Sequence, residues 1–136
     1  YTESDVYAAA RVFTGWNLRQ SDGYRANDIN AYQEFIFNAD QHDTDAKTFS
    51  FPIYSNGNRT IPARSESEGM QDGIDLITAL AQHPETGRRL ARKFWQFFIS
   101  EVHQPDPGFV EGAAGVYRQS GTEIAPMASD APKTWR

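Results

Sequence analysis

A mainly α fold, a helical segment of about four helices with one small antiparallel β-hairpin element, is predicted by three observations. Apolar residues recur at helical spacing in four separate stretches, and Gly, Pro or a polar cluster closes each one. Aromatic and β-branched residues gather in short runs only around residues 33–62, beside an Asn-Gly pair. The 136 residues are 39% hydrophobic and 13% aromatic, enough to supply the core of one domain or a piece of one.

The first helix is expected over 3–14. Thr2 offers a hydroxyl cap, Asp5 an acid at the third helical position for the positive end, Val6, Ala9, Ala10 and Phe13 an apolar face, and Gly15 a left-handed ending. From Asn17 to Asn30 the apolar period vanishes and a loop is expected. Gln33–Phe37 and Lys47–Tyr54 read as strands, and Asn56-Gly57 as the turn of a hairpin joining Ile53-Tyr54 to Thr60-Ile61. Ile74, Ile77, Leu80 and Ala81 then indicate a helix over 73–82 behind an Asp72 cap. His83-Pro84-Glu85 ends it and starts the longest helix, expected over 84–101, with His83 as its N-cap. Its stripe Leu90, Ala91, Phe94, Phe97 and Phe98 reads as core, and Trp95, off that stripe, as the aromatic that faces outward. Phe109, Val110, Ala113, Ala114 and Tyr117 mark a fourth helix, ended by Ser120-Gly121. The domain is drawn over 1–124, with 125–136 as an irregular tail.

Several function classes are excluded. Without cysteine there is no disulfide framework, thiol enzyme or Cys-ligated zinc. No run approaches the roughly 20 apolar residues of a membrane span, and no signal peptide is visible at Tyr1–Val6. A net charge of -5 argues against general nucleic-acid binding, which draws on Lys and Arg neutralising phosphates. Only residues 51–100 carry more basic than acidic groups, 6 against 5, and could attract an anion.

Read together, several strings carry a resemblance: Tyr1-Thr2-Glu3-Ser4-Asp5-Val6 leading to Ala10-Arg11-Val12-Phe13-Thr14-Gly15-Trp16, then His42-Asp43 with Lys47-Thr48, Thr60-Ile61-Pro62-Ala63, Asp75-Leu76-Ile77 before His83-Pro84-Glu85-Thr86, and Ala91-Arg92-Lys93-Phe94-Trp95. In order and spacing the chain resembles, over residues 1–124, the bacterial family called domain of unknown function 1800. Gly87 stands where that family usually shows a better helix former, and 17–32 looks like a variable insertion. The resemblance implies a fragment from the C-terminal half of a larger, mostly helical protein, exported from the bacterial cytoplasm and so periplasmic or secreted, with no established activity. The missing initiator Met agrees with a fragment.

The residues that could carry chemistry cluster in Asp40-Gln41-His42-Asp43-Thr44-Asp45-Ala46-Lys47. In a catalytic reading His42 is base or ligand, Asp43 orients it and Lys47 stabilises developing negative charge; a divalent cation would be the cofactor, with Asp40, Asp43 and Asp45 as metal ligands. The bland reading has these groups satisfying one another at a strand junction. Arg88, Arg89, Arg92 and Lys93, with Trp95, form a second candidate, an anion- or partner-binding face suited to a protein or an anionic glycan; its bland reading is a solvated helix face. No phosphate loop, nucleophile elbow or paired-histidine zinc motif is present. Two functions therefore stand open: a structural or binding subunit that packs against other protein, which the lack of a nucleophile favours, and part of a metal-dependent, hydrolase-like enzyme built on His42, Asp43 and Lys47.

Overall fold

The computed structural model describes residues 1–20 and 32–130. The chain forms two compact units, Tyr1–Ile77 and Thr78–Arg136. Among the described residues there are five α-helices and two two-stranded antiparallel sheets, where one hairpin is expected. No described helix is long and apolar enough to cross a membrane.

In the first unit, helix α1 spans Glu3–Val12. Asp5 reaches back to accept from the Thr2 N–H at 2.5 Å, the reciprocal half of a capping box. The buried face of α1 is Asp5, Ala8 and Val12, while Val6 and Tyr7 are exposed. The expected apolar face is thus rotated: a carboxylate occupies the core-facing stripe because it also accepts from the Ser50 N–H (2.7 Å) and Oγ (2.6 Å). These bonds, the Ser50 hydroxyl first, outweigh burial and hold the Asp5 carboxyl well below the usual carboxylate range.

Gly15, at φ +82°, turns the chain out of the helix, and its carbonyl accepts from the Asn38 N–H at 2.7 Å. Strand β1, Trp16–Gln20, then pairs with β2, Gln33–Phe37, in the register Trp16 to Phe37 and Gln20 to Gln33. The loop expected from Asn17 is therefore strand through Gln20. A largely polar strand lacks the apolar period, and the pairing rests on cross-strand partners such as Arg19 and Glu34, 2.8 Å apart. The remainder of that expected loop lies outside the described residues.

Strands β3 (Lys47–Thr48) and β4 (Thr60–Ile61) form the second ladder. Asn56-Gly57 does make a tight turn, with Gly57 at φ +86° and its N–H donating to Tyr54 O at 2.9 Å, but the turn ends a loop instead of a hairpin. Pro52 has no N–H to give, and the regular ladder ends where Phe49 donates to Arg59; beyond it the Ile53 and Tyr54 N–H groups both close on Asn58 O, at 2.8 and 3.1 Å. A 3₁₀ turn at Glu66–Glu68, capped by the Ser65–Glu68 hydrogen bond of 2.7 Å, leads into helix α2, Met70–Gln82, three residues ahead of its expected start.

In the second unit, α3 spans Pro84–Phe98 and α4 spans Pro107–Gln119, each opened by Pro behind a capping side chain. His83 Nδ1 accepts from the Glu85 N–H at 3.2 Å, and Asp106 accepts from Gly108 at 2.8 Å. Helix α3 stops three residues short of expectation because the Ile99 and Ser100 N–H groups both close on Trp95 O. Ala91, Phe109, Val110, Ala113, Tyr117 and Met127 make the core. Gly87 has a packing reason to be glycine: a Cβ there would lie 3.2 Å from the Tyr117 ring and 3.3 Å from Ala114 Cβ. A short helix α5, Ala125–Asp130, replaces the irregular tail as far as it is described. Pro126 sits in its first turn, where a missing N–H costs nothing, and Met127 anchors it in the core. Residues 131–136 of the expected tail lie outside the described residues.

Candidate functional site

The loop 40–47 and the first turns of α2 meet in the first unit. Two glycines shape the meeting: a Cβ at Gly69, in the turn just before α2, would collide with the His42 ring, and one at Gly73, in the first turn of α2, with the Trp16 ring. Glycine there lets both rings lie directly against the backbone. Asp72, beside Gly73, is fully buried.

Around Asp72 the polar groups close on one another. Its Oδ2 accepts from Lys47 Nζ at 2.6 Å and faces His42 Nε2 at 3.3 Å; its Oδ1 accepts from Arg64 Nη1 at 2.5 Å. The side chains of His42, Lys47 and Asp72 have no exposed surface. Lys47 also donates to the Asp43 carbonyl, and His42 Nδ1 donates to the Thr14 carbonyl at 2.9 Å. Arg64 extends the network to Asp75 at 2.6 Å, which in turn accepts from Tyr54 OH at 2.6 Å and Gln71 at 2.7 Å. Burial opposes ionisation of Asp75, but the Tyr54, Gln71 and Arg64 bonds together hold its carboxyl below the ordinary range. Burial likewise opposes the Arg64 charge, and Asp75 and Asp72 more than offset it.

At the rim, Arg11 grips Asp43 through two parallel bonds of 2.8 and 2.9 Å. The guanidinium, aided by the Asp45 N–H and working against burial, lowers the Asp43 carboxyl to about 2. Three acids (Asp43, Asp72, Asp75) are thus matched by three cations (Arg11, Lys47, Arg64), and every one of the six has a partner. Two buried or half-buried carboxylates with cationic partners on both oxygens leave no charge seeking a ligand.

The structure therefore brings His42, Asp43 and Lys47 together, as the sequence suggests, but through Asp72, which reads in sequence as a cap. Asp72 lies on the buried stripe with Leu76 and Ala79, but the helical spacing of Ile74, Ile77 and Leu80 assigns it to the outer face, so no sequence pattern pointed to the cations that converge on it. Arg11, Arg64, Asp75 and Tyr54 carried no signal, since the partners that tie them into the network lie 8 to 32 residues away. The proposed metal ligands do not converge: Asp40 is exposed in the 3₁₀ turn Ala39–Gln41, Asp43 is held by Arg11, and Asp45 is exposed at 3.9 Å from Arg11. Among the described residues no three His, Asp or Glu side chains are grouped to hold a metal ion.

The second candidate lies on α3. Arg88 is tied to Glu85 at 2.5 Å and Glu111 at 2.7 Å, carboxylates that raise its pKa. Arg89, Arg92 and Lys93 are exposed and, among the described residues, have no carboxylate within ion-pair distance. With Gln96 and Gln104 they line a groove of about 580 Å³. Trp95 does not face outward: its Nε1 donates to His103 O at 2.7 Å and its ring meets Phe109 edge-on at 5.1 Å. Phe97 and Phe98, expected in the core, are instead 81% and 67% exposed, because the core-facing stripe is Gly87, Ala91 and the half-buried Leu90, Phe94 and Trp95.

No curated protein and no solved structure matches the chain. A family model does match, the one described as "Protein of unknown function (DUF1800)", over residues 1–131. The ordered strings of the sequence, from the Thr14-Gly15-Trp16 helix end to Ala91-Arg92-Lys93-Phe94-Trp95, and the model match agree, and the chain belongs to the DUF1800 family.

Proposed function

We propose that this chain is a structural or binding segment of an extracytoplasmic bacterial protein, and that it docks other protein through the aromatic end of α3. The observation that carries the reading is the exposure of Phe97 and Phe98: the Phe98 ring meets Phe97 edge-on and packs at a tilt against Phe94, with ring centroids 4.8 and 4.7 Å apart. With Leu90, Ile124 and Met127 these rings line an open groove of about 650 Å³. Contiguous apolar surface of this kind marks an interaction site far more than scattered exposed residues do. Localisation outside the cytoplasm rests on the family resemblance alone.

The closed network supports the same reading from the other side. A general base must come within hydrogen-bond reach of a substrate proton, and a charge-stabilising lysine must face the reacting atoms. His42 and Lys47 have no exposed side-chain surface and are engaged by Asp72, Thr14 and Asp43. They serve as a clasp between the 40–47 loop and α2.

The test compares the wild-type protein with Phe97→Ser, Phe98→Ser in binding of an apolar fluorescent dye and in sedimentation. The expected result is strong dye binding and concentration-dependent association in the wild type, both falling several-fold in the variant at unchanged circular dichroism. A wild type that binds no dye and stays monomeric overturns the proposal.

A further inference from the structure

The apolar groove does not stand alone. Lys93 and Gln96 line both it and the cationic groove, so the two adjoin along α3 and share a wall. Positions 89, 92, 93 and 96 follow the i, i+3, i+4, i+7 rule and lie on one side of the helix; Leu90, Phe94, Phe97 and Phe98 lie next to them. Arg88, one residue before this set, is neutralised by Glu85 and Glu111; Arg92 feels the Glu111 charge without a direct ion pair, and Arg89 and Lys93 form no ion pair among the described residues. One side of the site is therefore mainly apolar, with Glu101 also in its lining, and the other, where three cations outnumber the Arg88-bound Glu85, carries excess positive charge on a chain that is otherwise acidic.

We infer that the segment docked here is an acidic amphipathic one, placing apolar side chains against Phe94, Phe97 and Phe98 and carboxylates against Arg89, Arg92 and Lys93. This rests on the docking reading above and adds the chemistry of the partner. A long polyanion fits less well, because the apolar half of the site would stay uncovered. An apolar but uncharged segment would leave the cations without the complementarity that fixes register and suppresses wrong partners. The mode is the helix-in-groove one, where anchors at i, i+3, i+4 and i+7 enter an apolar groove and flanking charges select the orientation.

The experiment titrates the full chain into three labelled designed peptides of about four helical turns, read by fluorescence anisotropy. One carries a leucine face flanked by glutamates, the second has lysine for every glutamate, and the third has serine for every leucine. Each is repeated with Arg92→Glu, Lys93→Glu, whose fold is checked by circular dichroism. The expected result is that the leucine–glutamate peptide binds at least ten-fold more tightly than either control, that salt weakens it, and that the charge-reversed variant prefers the lysine peptide. Equal binding of the two leucine peptides overturns this inference and leaves the docking reading standing. Binding of none of the three, in a protein that binds the apolar dye, overturns the inference again; failure of dye and peptides together overturns both.

Discussion

The first unit and the helix α3 of the second use the same residue types to opposite ends. Around Asp72, acids and cations are buried and matched one to one; along α3, Arg89, Arg92 and Lys93 stand exposed and form no ion pair among the described residues. A charge that has its partner within the chain contributes to the chain's own structure, and taking that partner away is costly because a desolvated charge is left alone. A charge in water costs nothing to leave unpaired, so it can wait for a ligand. Comparing the two regions shows that pairing and burial, more than residue type, separate scaffold from binding surface.

The sharpest way to break the comparison is in the clasp. Lys47→Ala leaves Asp72 buried with one cation fewer and should cost about 3–5 kcal/mol of stability by urea unfolding. A loss below about 1 kcal/mol, with an intact fold, would show that water enters freely and that the site is not closed. Next comes Gly69→Ala, which drives a methyl group into the His42 ring; overpacking of this kind costs about 1–3 kcal/mol. Thermal unfolding would register it, and a neutral result would mean that His42 is free to move aside.

Acid gives a smaller, pH-resolved effect. The Asp43 carboxyl is depressed from its ordinary 3.8 to about 2 by Arg11, so its contribution is complete above pH 4 and is lost as pH falls through about 2. Arg11→Met should remove that part of the acid dependence while leaving stability above pH 5 lower by a constant amount. An unchanged acid limb would mean that Asp43 does not titrate against Arg11. On α3 the expected effects are the smallest: Arg88→Ala should lower stability only slightly, as for exposed ion pairs, and Arg92→Ala should leave it essentially unchanged by urea unfolding. A large loss at Arg92 would place it in the scaffold and remove it from the binding surface.

The order and approximate ends of the four longer helices were legible in the sequence, though α5 was not, because caps and breakers act locally: His83-Pro84 and Ser120-Gly121 mark their helices by backbone chemistry alone. Which face turns inward was less legible. On α1 the core side includes Asp5 instead of Val6, and on α2 it is Asp72, Gly73 and Leu76 while Ile74, Ile77 and Leu80 are exposed. In both helices a first-turn aspartate does more than cap: it accepts bonds from side chains or amides far along the sequence, and a hydropathy pattern assigns such a carboxylate to the outside. Of the candidate site, the 40–47 loop could be found by the density of its ionisable groups, but its centre could not, since Asp72 and Arg64 lie in segments with no unusual composition.

The clasp also bears on the order in which the chain folds. Its bonds join residues far apart, 32 for Arg11 and Asp43, 25 for Lys47 and Asp72, and 45 for Asp5 and Ser50, and none can form until the intervening loop has closed. Helices α3 and α4 are neighbours in sequence and pack by short-range contacts, the kind that form fastest. Pulse-labelled hydrogen exchange should find α3 and α4 protected first and the Asp43 and Ser50 amides among the last, so that a newly made chain passes through a stage with its docking helix already shaped and its clasp still open.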